Sequence, residues 1–246
     1  MGYHESLTEG RNAVLEAFRS GKTVDRLFVL DGCQDGPVKT ILREAKKQDT
    51  MVQYVKKERL DQLSETKNHQ GVIAYCAACE YAEVSDILEN AKKKGEAPFI
   101  VLLDGIEDPH NLGAIIRTAN QAGAHGVIIP KRRAVGLTAT VARTSAGAVN
   151  YTPVAKVTNL VTVMEDLKKE GMWFVCADMD GEEMYSLNLK GPIGLVIGNE
   201  GEGVSRLVKE HCDMVASIPM KGDIDSLNAS VAMSVLAYEI VRQRRF

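Results

Sequence analysis

The sequence has few of the features that mark secreted, membrane or strongly nucleic-acid-binding proteins. Only 5% of its 246 residues are aromatic, and its five cysteines are an odd number that fits free thiols in a reducing compartment. Its 30 lysines and arginines stand against 33 aspartates and glutamates, so the formal charge of −3 does not predict a nucleic-acid partner. Any such binding must depend on local clusters of charge.

No apolar run is long enough to span a membrane, and the start MGYHESLTEG has neither a basic segment nor an apolar core for export. We therefore expect a cytoplasmic protein without a membrane partner. Cys76 and Cys79 form a CxxC pair, but no second pair and no nearby histidine pair would complete a zinc site. No metal is expected.

Hydrophobic residues make up 45% of the chain, which is enough for a sizeable core. The first eighty residues alternate between two helical patterns and three short strands, and the strands are RLFVL, MVQYV and GVIAYC. They predict a small α/β domain over residues 1–80. Residues 81–98 are polar and charged and end in Gly95 and Pro98, so we interpret them as a linker that adds little to a core.

From Phe99 to Phe246 the strands become more hydrophobic. They are FIVLLD, GVIIP, MWFVCAD, IGLVIGN and DMVASIP, with helical patterns between them. Continuous apolar strands of this kind are typical of a parallel sheet with helices on both faces. The last helix is expected to run from about Leu227 to Arg244. The sequence thus predicts a larger α/β domain over residues 99–246.

Three unusual turns follow strands of this domain, at the sheet edge where α/β proteins place their chemistry. In the first, Asn111 is well placed to cap a helix, and Arg117 directly follows an apolar run. As residues alone, Arg117 fits a snorkelling or ion-paired side chain as well as a functional one. In the second, Gly198 and Gly201 permit close approach to a ligand, while Glu200 and Glu202 disfavour phosphate.

The third turn is IPMKGDIDSLNASVA, in which Ser226 or Asn228 can cap the last helix. Together, NLGAIIRTA, IGNEGEG and this third turn closely resemble the three motifs of the SpoU/TrmH family of RNA ribose 2′-O-methyltransferases. The segments EGRNAVLEA and NHQGVIA resemble the small substrate-binding domain, similar to ribosomal protein L30e, of members that modify large-subunit ribosomal RNA. The resemblance covers nearly the whole chain and is closest to the type that methylates a guanosine of 23S ribosomal RNA.

This resemblance implies a SPOUT-type parallel-sheet domain whose C-terminal segment is threaded as a trefoil knot, an exception to the usual topology rules. The knot loops would hold S-adenosylmethionine, largely through backbone groups. The positions that the resemblance assigns to the cofactor are Gly198, Asn199, Gly201, Ile218, Met220 and Leu227. A ligand made of adenine, ribose and a sulfonium accounts for glycine turns that lack a phosphate-binding fingerprint.

By the same resemblance, Arg117 matches the catalytic arginine of the family. An arginine is a poor general base because its pKa lies above about 12, so it either becomes a base only in a special environment or stays charged and stabilises the developing alkoxide. Asn111 would position Arg117 or the ribose, with Glu200 and Asn199 supporting the site. Ser226 and Asn228 would orient the reacting groups.

The family builds its site at a dimer interface, which implies a homodimer. Local charges point to RNA contacts, and the positions expected to touch RNA are Arg132 and Arg143 in the second domain and Arg11 and His69 in the first, with Asn12 and Gln70 beside them. The main hypothesis is a 2′-O-methyltransferase for a guanosine of 23S ribosomal RNA, bare or in a pre-ribosomal particle. Alternatives are a transfer-RNA enzyme, a ribosomal-RNA adenosine enzyme and a non-catalytic RNA-binding protein.

Overall fold

The computed structural model describes residues 6–223 and 226–245. By their contacts these residues form two compact units. The first holds the residues up to Glu80 together with Gly136–Ala139, and the second holds Tyr81–Val135 and the residues from Thr140 onward. Each unit has its own sheet and its own hydrophobic core.

The first unit is a four-stranded sheet with three helices. In chain order its elements are β1 (Ser6–Glu9), α1 (Arg11–Arg19), β2 (Val24–Leu30), α2 (Gly36–Lys47), β3 (Met51–Val55), α3 (Lys57–Leu63) and β4 (Val72–Cys76). The strand order is β1-β4-β2-β3, and only β2 and β3 are parallel. The three predicted strands are present; β1 has no counterpart in the prediction because SLTE is short and mostly polar.

Apolar residues at helical spacing explain why α1 and α2 pack on this sheet. Val14 and Phe18 lie one turn apart on the buried side of α1, and Val38 and Ile41 do the same on α2. They share one core with Leu27 of the central strand β2. The opposite sides of both helices are left to polar residues.

The second unit is an α/β layer structure around a six-stranded sheet. Its elements are α4 (Val84–Lys94), β5 (Phe99–Asp104), α5 (Pro109–Gln121), β6 (Gly126–Pro130), α6 (Ala139–Thr144), a 3-10 turn (Ala148–Asn150), β7 (Val154–Val157), α7 (Leu160–Lys169), β8 (Trp173–Glu183), β9 (Ile193–Gly198), α8 (Arg206–Glu210), β10 (Met214–Ser217) and α9 (Ala229–Arg245). The strand order is β10-β8-β9-β5-β6-β7, and every neighbouring pair is parallel. The predicted parallel-sheet fold is confirmed.

The two central strands, β5 and β9, are buried at every residue, as a sheet covered on both faces requires. Strand β7 was missed because VAKV is short and alternates poorly. The trefoil knot that the resemblance implies stays a prediction.

The expectation that residues 81–98 add little to a core is wrong. Helix α4 fills most of this segment and buries Ile87 and Ala91 in the second unit. Gly126 at the start of β6 meets the Ile87 side chain so closely that an added Cβ would lie 2.5 Å from it. The three lysines at the end of α4 made the segment look wholly polar in the sequence. In the helix their positive charges interact favourably with the negative end of the helix dipole.

Helix α9 packs against α5 and the sheet through Met233, Leu236 and Ile240. The Oγ1 of Thr118 on α5 and the Oγ of Ser234 on α9 lie 3.1 Å apart in a hydrogen bond that ties the two helices. Across the described part of the chain, no helix is both long and apolar enough to cross a membrane.

Candidate active site

The three turns singled out in the sequence begin where β5, β9 and β10 end, at the carboxyl edge of the parallel sheet. Strands β5 and β9 are hydrogen-bonded neighbours, with Asp104 paired to Gly198 at their ends. The turns after these two strands therefore start side by side. This edge is where open α/β sheets bind ligands.

The first turn leads into α5, and the capping prediction for Asn111 is wrong. Asp108 caps this helix, because its side chain accepts a hydrogen bond of 3.0 Å from the backbone N–H of His110. Pro109 follows at the first helical position, which suits its fixed φ and missing N–H. Asn111 lies one turn further in, where its buried side chain is available for other partners.

The side chains of Asn111, Glu200 and Asn228 form a closed set of hydrogen bonds. Asn111 Nδ2 donates to Glu200 Oε1 over 3.0 Å, and Asn228 Nδ2 donates to Asn111 Oδ1 over 3.0 Å. Asn228 Nδ2 also donates to Glu200 Oε1. We call these three residues the polar triangle. It joins the first part of α5, the turn after β9 and the start of α9.

The oxygen of the Asn228 side-chain amide caps the start of α9. Its Oδ1 accepts hydrogen bonds from Ser230 N at 3.0 Å, Ser230 Oγ at 2.6 Å and Val231 N at 3.4 Å. Asn228 is therefore the helix cap, and Ser226 is not. Ser226 stays exposed beside it.

Asn199 shapes the turn after β9. Its backbone N–H and C=O pair with those of Gly203 at 3.0 and 2.8 Å, while its side chain accepts from Gly201 N at 2.8 Å and donates to the carbonyl of Gly105 at 2.9 Å. Gly198 is required by the same turn, since a Cβ there would lie 2.0 Å from the carbonyl carbon of Gly203. Asn199 and Gly198 thus fix the turn that places Glu200 within reach of Asn111 and Asn228.

Asp104, at the end of β5, is a site residue that sequence reasoning missed. Its Oδ2 accepts a hydrogen bond of 2.8 Å from Ser205 N, and the side chain is largely buried. The contact fixes the far end of the turn after β9. The sequence feature that could have indicated Asp104 is an acidic residue at the carboxyl end of a fully apolar strand.

Arg117 lies on the exposed side of α5, six residues after Asn111. Among the described residues it has no hydrogen bond or ion-pair partner, so Asn111 does not hold it. Its backbone is fixed all the same. Gly113 in the preceding turn packs so tightly on α6 that an added Cβ would lie 1.8 Å from Thr144 Oγ1. The guanidinium is a free positive charge on a firmly packed helix.

Three apolar side chains at this edge are incompletely buried. Ile218 is half-buried, while Met220 and Leu227 are 38% and 37% exposed. They follow β10 and precede α9, on the two segments that the motifs assign to the cofactor. Apolar surface beside backbone polar groups is what a bound adenine requires.

The four residues expected to touch RNA differ in their exposure and in the partners that their side chains have within the protein. Arg11 forms an ion pair of 2.6 Å with Asp35, and His69 is buried between Asp61 and the backbone of Gly71. Arg132 is exposed, and so is Arg143, which donates to Thr140 Oγ1 over 3.2 Å. Arg11 and His69 thus stabilise the first unit through contacts within it, whereas the positive charges of Arg132 and Arg143 are exposed to solvent.

Comparisons with known proteins identify the family to which this chain belongs. Residues 98–238 match the model of the SpoU rRNA Methylase family, and residues 7–82 match the model for RNA 2′-O ribose methyltransferase substrate binding. A Bacillus subtilis (strain 168) protein, YacO, named provisionally as a TrmH family tRNA/rRNA methyltransferase, is 48% identical over 96% of this chain and 94% of its own.

Solved structures are also similar, over most or all of this chain. The SpoU methyltransferase AviRb from Streptomyces viridochromogenes, in complex with S-adenosylmethionine, is 27% identical with a TM-score of 0.62, covering 98% of this chain and 91% of its own. A tRNA-modifying TrmH/SpoU enzyme of A. aeolicus is 27% identical with a TM-score of 0.56, covering 65% and 84%. The chain belongs to the SpoU family of RNA methyltransferases, and the enzyme class predicted from its motifs is confirmed.

Proposed function

We propose that this protein transfers a methyl group from S-adenosylmethionine to the ribose 2′-hydroxyl of a guanosine in 23S ribosomal RNA. The observation that carries the proposal is the polar triangle of Asn111, Glu200 and Asn228, with the free charge of Arg117 on the same helix as Asn111. A binding protein has no need of such an arrangement. Family membership and the AviRb complex support the chemistry and the cofactor.

The residues at the sheet edge fit S-adenosylmethionine. Ile218, Met220 and Leu227 offer apolar surface for the adenine, and the turn of residues 198–203 offers backbone groups and the carboxylate of Glu200 near a cationic ligand. When bound, the cofactor supplies an electrophilic methyl group. Gly198 and Asn199 contribute by building the turn, and Gly201 lies exposed in it with its N–H donated to Asn199 Oδ1.

Arg117 acts as a charged group in this proposal. Methyl transfer would form a bond from the ribose 2′-oxygen to the methyl carbon as the carbon–sulfur bond breaks, with the hydroxyl proton passing to water. A charged guanidinium would stabilise the negative charge that develops on this oxygen and keep its own protons. An exposed arginine that has no carboxylate partner within residues 6–223 and 226–245 can contact the ribose or its phosphate. Ser226, exposed at the start of α9, would orient the ribose.

A homodimer would complete the site. Val231 and Tyr238 on α9 are 46% and 51% exposed, although α9 already buries its opposite side on α5 and the sheet. A second copy covering this apolar surface would bring Arg117 of one subunit to the cofactor of the other. Light scattering of the full chain tests this step, and a fully active monomer would contradict it.

The first unit favours ribosomal RNA over transfer RNA. The Sinorhizobium meliloti rRNA methyltransferase structure, 25% identical with a TM-score of 0.61, covers 97% of this chain, whereas the tRNA-modifying neighbour from A. aeolicus covers 65%. Lys131, Arg132, Arg133 and Arg143 supply positive charge after β6 and on α6 for the phosphates of a large RNA.

The test is a competition between unmodified 23S ribosomal RNA and transfer RNA for a labelled methyl group. Label at one guanosine of 23S ribosomal RNA is the expected result. Label confined to transfer RNA, or at an adenosine, would keep the chemistry and overturn the substrate. No label with bare RNA but label with pre-ribosomal particles would assign the particle as substrate.

A further inference from the structure

The first unit has an open groove that the catalytic account does not use. It lies between the start of α1 and the loop of residues 65–70, and its volume is about 420 Å³. This size falls within the usual range for small-ligand clefts, roughly 300–1,000 Å³. Three of its lining residues, Asn12, Asn68 and Gln70, carry side-chain amides.

Glu9 holds the loop wall of this groove in place. Its carboxylate accepts hydrogen bonds from Glu65 N at 2.7 Å, Thr66 N at 3.2 Å and Thr66 Oγ1 at 2.8 Å, and from Ser64 Oγ. Burial tends to raise the pKa of Glu9, but these hydrogen bonds outweigh it and hold the pKa below its usual value. The groove is therefore formed before any ligand arrives.

Gln70 is fixed in an uncommon backbone conformation, with φ at 50°, and Lys67 in the same loop has φ at 58°. Non-glycine residues rarely adopt this left-handed region, and such residues cluster at binding sites. Arg11 secures Gln70, because Arg11 N donates to Gln70 Oε1 over 3.2 Å and Arg11 Nε donates to the Gln70 carbonyl over 3.0 Å. With Oε1 occupied, the amide of Gln70 offers its N–H donors.

The other two side-chain amides, those of Asn12 and Asn68, are available to a ligand. Asn12 and Asn68 are exposed, and within the described residues neither side chain has a hydrogen-bond partner. Each presents one donor group and one acceptor. The groove also holds the carboxylates of Glu9 and Glu65, which disfavour a phosphate. A neutral ligand with donors and acceptors along one edge fits these walls, and a nucleobase is such a ligand.

We infer that this groove binds one unstacked base of the RNA substrate and reads its edge through Asn12, Asn68 and Gln70. The inference rests on the proposed function, which supplies RNA as the substrate. Proteins read RNA sequence mostly in loops whose bases are splayed out of the helix. Arg11 and His69 then act as positioning residues, since both hold the loop that carries Asn68 and Gln70.

The experiment compares two double variants of the full chain. Asn12→Ala with Asn68→Ala removes two amides of the groove, while Gln53→Ala with Gln62→Ala removes two exposed amides of the same unit outside it. Gel-shift titration with unmodified 23S ribosomal RNA gives affinities, and chemical probing of base edges locates protected nucleotides. Thermal melting verifies that both variants are folded.

The groove variant is expected to bind at least tenfold more weakly and to lose protection of a single base, with the control within twofold of wild type. Wild-type affinity and an unchanged footprint in the groove variant would overturn the inference, as would an equal loss in the control. Methyl transfer is measured on the same samples. Wild-type protein that protects the base but transfers no methyl group would contradict the proposed function and leave the groove assignment standing.

Discussion

The side-chain amide of Asn111 donates a hydrogen bond of 3.0 Å to Glu200, which lies 89 positions later in the chain. Asn228, a further 28 positions on, closes the triangle by donating to both residues. Since Asn111 lies in the first turn of α5, Glu200 in the turn after β9 and Asn228 at the start of α9, the triangle sets the relative positions of these three segments. Removing one member should disturb the other two.

Replacing Asn228 separates its two roles. Asn228→Ser keeps a side-chain oxygen that can cap α9 but lacks the amide donor of the triangle, so methyl transfer should fall at least tenfold with little change in stability. Asn228→Ala removes both and should cost about 1–2 kcal/mol in the free energy of unfolding. Urea unfolding and methyl transfer on both variants measure the difference. Equal stability of the two variants would contradict the capping role.

Gly198 and Gly201 lie in the same turn and should respond differently to alanine. At Gly198 a Cβ would meet backbone at 2.0 Å, whereas at Gly201 the nearest atom would be 3.5 Å away in ordinary contact. Gly198→Ala should therefore lower the free energy of unfolding by about 3 kcal/mol or prevent folding, and Gly201→Ala should change it by less than about 0.5 kcal/mol. Thermal melting of the two proteins checks this, and equal melting temperatures would refute the packing argument.

Stability should fall as the pH drops below about 6.5, because of His125. This side chain is fully buried, its Nδ1 accepts from Phe99 N at 2.9 Å, and burial lowers its pKa despite the hydrogen bond to Glu96. The unfolded chain then binds a proton, near its ordinary pKa of about 6.5, that the folded protein does not. Urea unfolding at pH 7.5 and 5.5 should show a loss in wild type that is smaller in His125→Gln. An identical pH dependence in both would exclude His125 as the cause.

Much of the second unit could be predicted from the sequence because its strands are continuous apolar runs. The positions of Asn111, Glu200 and Asn228 at the sheet edge followed from the motifs. Their mutual contacts did not, since hydrogen bonds across 89 and 117 positions depend on the complete fold.

Local rules explain the errors. Asp108 followed by Pro109 is the usual sequence of a helix cap and first helical residue, and it marks the start of α5 better than Asn111 does. The contribution of residues 81–98 to the core was missed because the three lysines at the end of α4 made the segment look polar, although Ile87 and Ala91 are buried. The ion pair of Arg11 with Asp35 and its hydrogen bond to Gln70 could not be predicted from the sequence, because both partners are distant along the chain.

Arg117 should be essential for catalysis and dispensable for folding. It is exposed and, within the described residues, has no partner, so Arg117→Ala should leave the melting temperature and cofactor binding nearly unchanged. Arg206→Ala is the matched control, since Arg206 is an exposed helical arginine in the same unit whose ion pair with Glu210 is solvent-exposed. Arg117→Lys keeps the charge and should retain part of the activity. Complete loss in the lysine variant would argue against a purely electrostatic role.

The most direct measurement is the transfer of a labelled methyl group from S-adenosylmethionine to unmodified 23S ribosomal RNA, followed by alkaline hydrolysis. A 2′-O-methyl ribose blocks cleavage, so wild type and Arg206→Ala should place the label in one alkali-resistant dinucleotide, and Arg117→Ala should reduce it at least a thousandfold. Label that is released in mononucleotides, and therefore attached to a base, would contradict the account. So would undiminished ribose methylation by Arg117→Ala.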